Sequence, residues 1–167
     1  MRFRKSAATT LAFVAFTMAI LLGALPRAYA TNFGNTSIES GSSTITDRDS
    51  YYVHGNMFTL PSAYTVTQLC HYPKASSGNV LLGVYADSGR PSGPLLVTIA
   101  STPIGTANAW QCINVVTPTS LAAGNYWLQV MYSSLTAQIA VSGGHPLATG
   151  YYLTVGASSF AMPNPAN

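Results

Sequence analysis

The chain predicts an all-β fold, a single two-sheet antiparallel sandwich. Three observations carry that reading. Runs of β-branched and aromatic residues alternate with Gly, Pro, Asn and Ser clusters at intervals of about ten residues, the spacing of a sandwich or barrel. Beyond residue 30 no long 3.6-residue periodicity is present. Two segments alternate strictly: Val80, Leu82 and Val84, then Tyr126, Leu128 and Val130, each the pattern of a strand with one face in a core. A length of 167 residues suits one domain of this kind.

Taken in order, the chain opens with Arg2, Arg4 and Lys5, then an apolar stretch, Pro26, and Ala28-Tyr29-Ala30. A basic start, an apolar run and small residues two apart form the pattern of a secretory signal peptide. Residues 1–30 are therefore expected to be a signal segment, cleaved after Ala30, with no membrane span left afterwards. Residues 31–45 form an amino-terminal segment or first strand, and residues 46–167 the sandwich domain. Strands are expected at 57–60, 65–72, 79–85, 95–101, 110–117, 124–132, 138–141 and 151–155. The breaks between them fall at 74–78, 87–94, 103–108, 118–124 and 142–146, where Gly, Pro, Ser and Asn gather.

Charge narrows the function classes. Only 7% of residues are charged, against about 25% in typical globular chains. Cleavage would leave Arg48, Lys74 and Arg90 against Glu39, Asp47, Asp49 and Asp87, one net negative charge. A nucleic-acid partner is excluded, because phosphate binding needs clustered Lys and Arg. A surface of Ser, Thr, Asn, Gln, Gly and Tyr suits an extracellular setting, with a polysaccharide or copies of the protein itself as partner. Cys70 and Cys112, an even pair in an exported chain, are expected to form a disulfide between neighbouring strands.

Three segments carry a resemblance. Ser77-Gly78-Asn79-Val80-Leu81-Leu82-Gly83-Val84-Tyr85-Ala86-Asp87, then Ser88-Gly89-Arg90-Pro91-Ser92-Gly93-Pro94-Leu95-Leu96, reads as strand, Gly/Pro loop and strand. Leu121-Ala122-Ala123-Gly124-Asn125-Tyr126-Trp127-Leu128 follows a strand carrying Trp110. Together they resemble a jelly-roll-type β-sandwich accessory domain that recurs in secreted bacterial and archaeal proteins. The resemblance spans most of residues 33–141, with 160–165 similar to the short Pro-rich end of such domains. It implies a non-catalytic role such as carbohydrate binding, adhesion or surface assembly. The cysteine pair departs from that pattern. An immunoglobulin-like sandwich is the alternative fold, since strand count does not set strand order.

Catalytic patterns are weak. No G-x-S-x-G elbow occurs, and Ala86-Asp87-Ser88-Gly89-Arg90-Pro91 lacks two glycines of the trypsin-like nucleophile loop it is similar to. The chain is read as a non-enzyme without an obligatory cofactor. His54, His71 and His145 show no metal-ligand spacing. Asp47 and Asp49, with Glu39 upstream, are candidate oxygen ligands for a structural calcium ion.

The aromatic residues are the candidate binding surface. With Tyr126, Leu128 and Val130 inward, Trp127, Gln129 and Met131 face the other way. An outward Trp127 beside Gln129 would form a sugar-stacking platform; the competing reading packs Trp127 under a loop or a second sheet edge, with Trp110 in the core. Tyr51-Tyr52 and Tyr151-Tyr152 each place one ring on each face of a strand, making Tyr52 and Tyr152 further candidates. Residues 31–45, nearly uncharged, form a candidate donor strand for self-assembly. Asn35-Thr36-Ser37 is an N-glycosylation sequon.

Overall fold

The computed structural model describes residues 32–37, 43–46, 52–89, 93–134, 136–141, 150–154 and 160–164. The expected signal segment 1–30 lies outside them, as do Glu39, Asp47 and Asp49. All strands belong to the compact unit Phe33–Asn167, and no helix occurs among the described residues.

Eleven strands follow in chain order: β1 (Ser43–Thr46), β2 (Tyr52–Leu60), β3 (Tyr64–His71), β4 (Pro73–Ala75), β5 (Asn79–Ala86), β6 (Leu95–Thr98), β7 (Thr102–Pro103), β8 (Gln111–Leu121), β9 (Gly124–Tyr132), β10 (Gln138–Val141) and β11 (Gly150–Thr154). Every pairing is antiparallel. The large sheet runs β11-β2-β9-β5-β6, with β7 on the start of β5. Opposite it stands the β3–β8 ribbon, and β1-β10-β4 forms a smaller sheet.

The order follows from two wrapped hairpins. β2 pairs β9 from Val53↔Met131 to Leu60↔Gly124, while β3 pairs β8 from Tyr64↔Leu121 to His71↔Gln111. The consecutive pairs β2–β3 and β8–β9 therefore each leave one sheet and enter the other, together. An isolated bridge, Ile99↔Val115, ties the end of β6 to β8 and closes one side. This nested pairing of two hairpins across two packed sheets makes the fold a β-sandwich.

Between the layers lies the main core. Val80, Leu82 and Val84 of β5, Tyr126 and Val130 of β9, and Leu60 of β2 meet Val66 of β3 and Val115 and Leu121 of β8. The two alternating triplets that predict strands thus point into one interior, with Leu128 packed partly buried against it. Tyr126 also donates its hydroxyl to the Ala122 carbonyl at 2.9 Å, fixing the turn into β9.

Several boundaries differ from expectation; β6, for one, ends at Thr98 rather than 101. β2 starts at Tyr52 rather than 57, because His54-Gly55-Asn56, turn-like in composition, pairs Val130, Gln129 and Leu128 in register. β8 continues through Pro118 to Leu121. Its register moves from Gln68↔Asn114 to Val66↔Thr119, so Pro118 sits in an irregular stretch opposite Thr67, where its missing N–H breaks no ladder bond. The expected break at 74–78 contains part of β4.

Of the amino-terminal segment, β1 lies antiparallel on β10, with Ile45↔Ile139. Phe33 packs on the main core.

Candidate functional site

The two tryptophans locate the faces of the molecule. Trp127 does lie on the face of β9 opposite Tyr126, yet it is 3% exposed, and Gln129 is 5% exposed. The expected platform on these two residues is therefore not an open surface. Its cover is the carboxy-terminal segment 160–164. Phe160 and Met162 pack on Val53, Leu81 and Met131, and Met162 also on Tyr85 and Trp127. Tyr85 donates its hydroxyl to the Pro163 carbonyl at 2.8 Å, and the Leu95 N–H reaches Asn164 Oδ1 at 3.0 Å. Burial raises the Tyr85 hydroxyl above the usual phenol range, so it remains a donor to that carbonyl. Gly83 makes room for the strap: a Cβ there would stand 2.7 Å from Met162 Cε. Trp127 gives its Nε1–H to Asp87 Oδ1 at 3.1 Å, and the same oxygen takes the Gly89 N–H at 2.9 Å.

The open face belongs to the β3–β8 ribbon. Thr65, Gln68 and Cys70 of β3, with Cys112, Asn114 and Ser120 of β8, are all exposed. They meet as three cross-strand pairs. Thr65 and Ser120 share a hydroxyl hydrogen bond of 2.8 Å, and Gln68 Nε2 donates to Asn114 Oδ1 at 2.9 Å. Cys70 and Cys112 are directly opposite in register and form a disulfide, with Cα atoms 4.0 Å apart. The expected bond between neighbouring strands is present.

The ribbon face ends in aromatic residues. Trp110, one position before β8, is 42% exposed, whereas the sequence reading offered it to the core. It contacts half-buried Tyr72 edge-to-face, with centroids 5.6 Å apart and planes at 73°, a geometry that suits the ring quadrupoles. Lys74 Nζ stands 5.5 Å from the Tyr72 centroid, within cation–π range. The Tyr72 hydroxyl donates to the Asn108 carbonyl at 2.8 Å, while the Asn108 N–H donates to Pro73 at 2.8 Å. Asn108 has φ +60°, a left-handed conformation that asparagine tolerates better than most residues. The turn before Trp110 is thereby tied to the strand carrying Lys74.

Beneath this end a polar network locks the ribbon to the core. His71 is 4% exposed. Its Nε2 lies 2.8 Å from Gln111 Oε1 and its Nδ1 3.1 Å from the Tyr132 hydroxyl. Because Gln111 Oε1 only accepts, the proton sits on Nε2, and Tyr132 donates to Nδ1. The same Gln111 oxygen accepts the Gly105 N–H at 2.8 Å, and Gln111 Nε2 donates to the Pro103 carbonyl at 3.0 Å. Burial holds the His71 pKa below its ordinary value, partly opposed by the Gln111 hydrogen bond.

Of the other candidates, Tyr52 and Tyr152 fall on paired strands β2 and β11, where Tyr152 lies opposite His54 and Tyr52 opposite Thr154. Among the described residues no group of three His, Cys, Asp or Glu side chains converges on a metal position. No described helix is long and apolar enough to cross a membrane.

Comparison with known proteins finds no match, whether to family models, to curated proteins or to solved structures. The class assignment therefore rests on the fold and this face: a β-sandwich that, among the described residues, opens a disulfide-tied ribbon surface to solvent.

Proposed function

We propose that the protein is a secreted, non-catalytic binding module that holds an extracellular polysaccharide on the outer face of the β3–β8 ribbon. The observation that carries this reading is Trp110: a large indole, 42% exposed, braced by Tyr72 and continued by a ladder of amide and hydroxyl pairs. An aromatic face covers the apolar C–H surface of a pyranose, while nearby amides exchange hydrogen bonds with its hydroxyls. Gln68 and Asn114 engage each other through one donor and one acceptor, leaving each amide further hydrogen-bonding capacity for a ligand. The disulfide between the aromatic and amide pairs holds their spacing, which lowers the ordering cost of binding. A disulfide also suits an oxidising, extracellular compartment.

Self-assembly through residues 31–45 is the competing reading. It would require β1 to leave β10 and Phe33 to leave the core, two intrachain contacts already made.

Affinity electrophoresis through gels cast with soluble polysaccharides tests the proposal. Trp110→Ala should weaken retention about tenfold, the loss of one good aromatic contact, while leaving the far-ultraviolet circular dichroism unchanged. Retention equal to that of the wild type would remove Trp110 from the site and the reading with it.

A further inference from the structure

The distribution of charge narrows the ligand class. Among the described residues Lys74 is the only Lys or Arg, and Asp87 the only Asp or Glu. Asp87 is engaged at the turn after β5, where its Oδ1 accepts from Trp127 and Gly89. Lys74 sits on β4, its ammonium 5.5 Å from the Tyr72 ring that braces Trp110. Lys74 thus places a cation beside the aromatic end of a ribbon face whose described polar side chains are hydroxyls and amides.

We infer that the platform selects anionic pyranose polymers, with a sugar face on Trp110 and the carboxylate or sulfate of that residue or its neighbour on Lys74. This deepens the polysaccharide reading and rests on it. Two sources share the chemistry, uronate and sulfated sugars, and both would place a negative oxygen at an N⁺–H donor. Such charge-assisted bonds are roughly twice as strong as neutral ones. One cation also makes a simple salt prediction: a single contact at a solvent-exposed edge weakens modestly with ionic strength, far less than a polybasic site.

The test compares the purified protein on polygalacturonate, on its fully methyl-esterified form, on dextran sulfate and on dextran. Esterification and desulfation remove the charge and keep the sugar ring. The wild type should bind one or both charged polymers about fivefold more tightly than the neutral counterpart, and the preference should shrink in 0.5 M salt. Uronate binding alone, or sulfate binding alone, names the source. Lys74→Gln should erase the charge preference and keep the residual neutral binding. Trp110→Ala should lose both. Equal affinity for each charged and neutral pair, or a preference that survives Lys74→Gln, overturns the anionic inference while leaving the platform standing. Charge preference that survives Trp110→Ala overturns the platform instead. No retention on any of the four polymers overturns both.

Discussion

Trp127 and Trp110 sit on the outward sides of the two layers, and their fates differ because only one layer is covered. The large sheet carries Tyr85, Trp127, Val53, Leu81 and Met131 on its outer side, and the segment 160–164 lies across them and buries them. The β3–β8 ribbon turns threonines, serine, amides, a disulfide and an aromatic pair to solvent, and among the described residues nothing packs over Trp110 comparably. Composition explains the difference. An outer face of Val, Leu, Met, Tyr and Trp demands a second cover, since leaving it open costs about 25 cal/mol per Å² of apolar surface. A face of hydroxyls and amides makes no such demand. The lesson is that alternation along a strand assigns sides, while the chemistry of the outward side decides whether that side becomes core or surface.

The contrast is broken most severely by removing the buried indole. Trp127→Ala should destabilise the domain by about 3–5 kcal/mol in denaturant unfolding, because the indole fills the space beneath the strap and its Nε1–H satisfies Asp87. Trp110→Ala should cost less than about 1 kcal/mol, as surface substitutions usually do. Equal losses for the two variants would erase the distinction between the layers.

The ribbon's own restraint comes next. Joining residues 42 apart in sequence contributes about 4 kcal/mol in the chain-entropy picture, with measured effects commonly 2–4 kcal/mol. Cys70→Ser with Cys112→Ser should lower the unfolding midpoint accordingly and loosen the platform. A double variant as stable as the parent would show that the β3–β8 register is held without the bond.

A smaller, pH-dependent effect sharpens the role of the network under the platform. His71 titrates below its ordinary value in the folded chain, so the unfolded state takes up a proton first as pH falls through about 6.5. Stability is then full above that pH and declines as pH drops toward the folded value. The decline should be shallower in His71→Gln, read as the difference in unfolding midpoint between pH 7 and pH 5. Identical slopes in both proteins would remove His71 from the acid response.

Much of the fold was legible in the sequence. β9 and β10 match their expected bounds, and β5 extends by one residue, because strict alternation bounded by Gly, Asn and Ser is a local signal. The disulfide was legible for the same reason: Cys70 and Cys112 stand in two strand-like segments of an expected exported chain. What failed depended on distant partners. His54-Gly55-Asn56 is a turn by composition and a strand because β9 runs beside it. Pro118 should end a strand and does not, because an irregular register accommodates it. Which side of β9 is open is not a local signal either: Trp127 is buried by Met162, 35 positions later in the chain. Trp110 carried one usable hint: with Cys112 and Asn114 it alternates against Ile113 and Val115, the side of a strand that holds its polar residues.

Contact between Trp110 and the ligand can be read optically. The protein has two tryptophans, so Trp127→Phe leaves Trp110 as the sole indole emitter. Acrylamide quenching of that variant, with and without a polysaccharide it binds, is the measurement. The free protein should be strongly quenched, and bound polymer should give marked protection with a blue shift. Binding of the polymer with no change in Trp110 emission or quenching would contradict it.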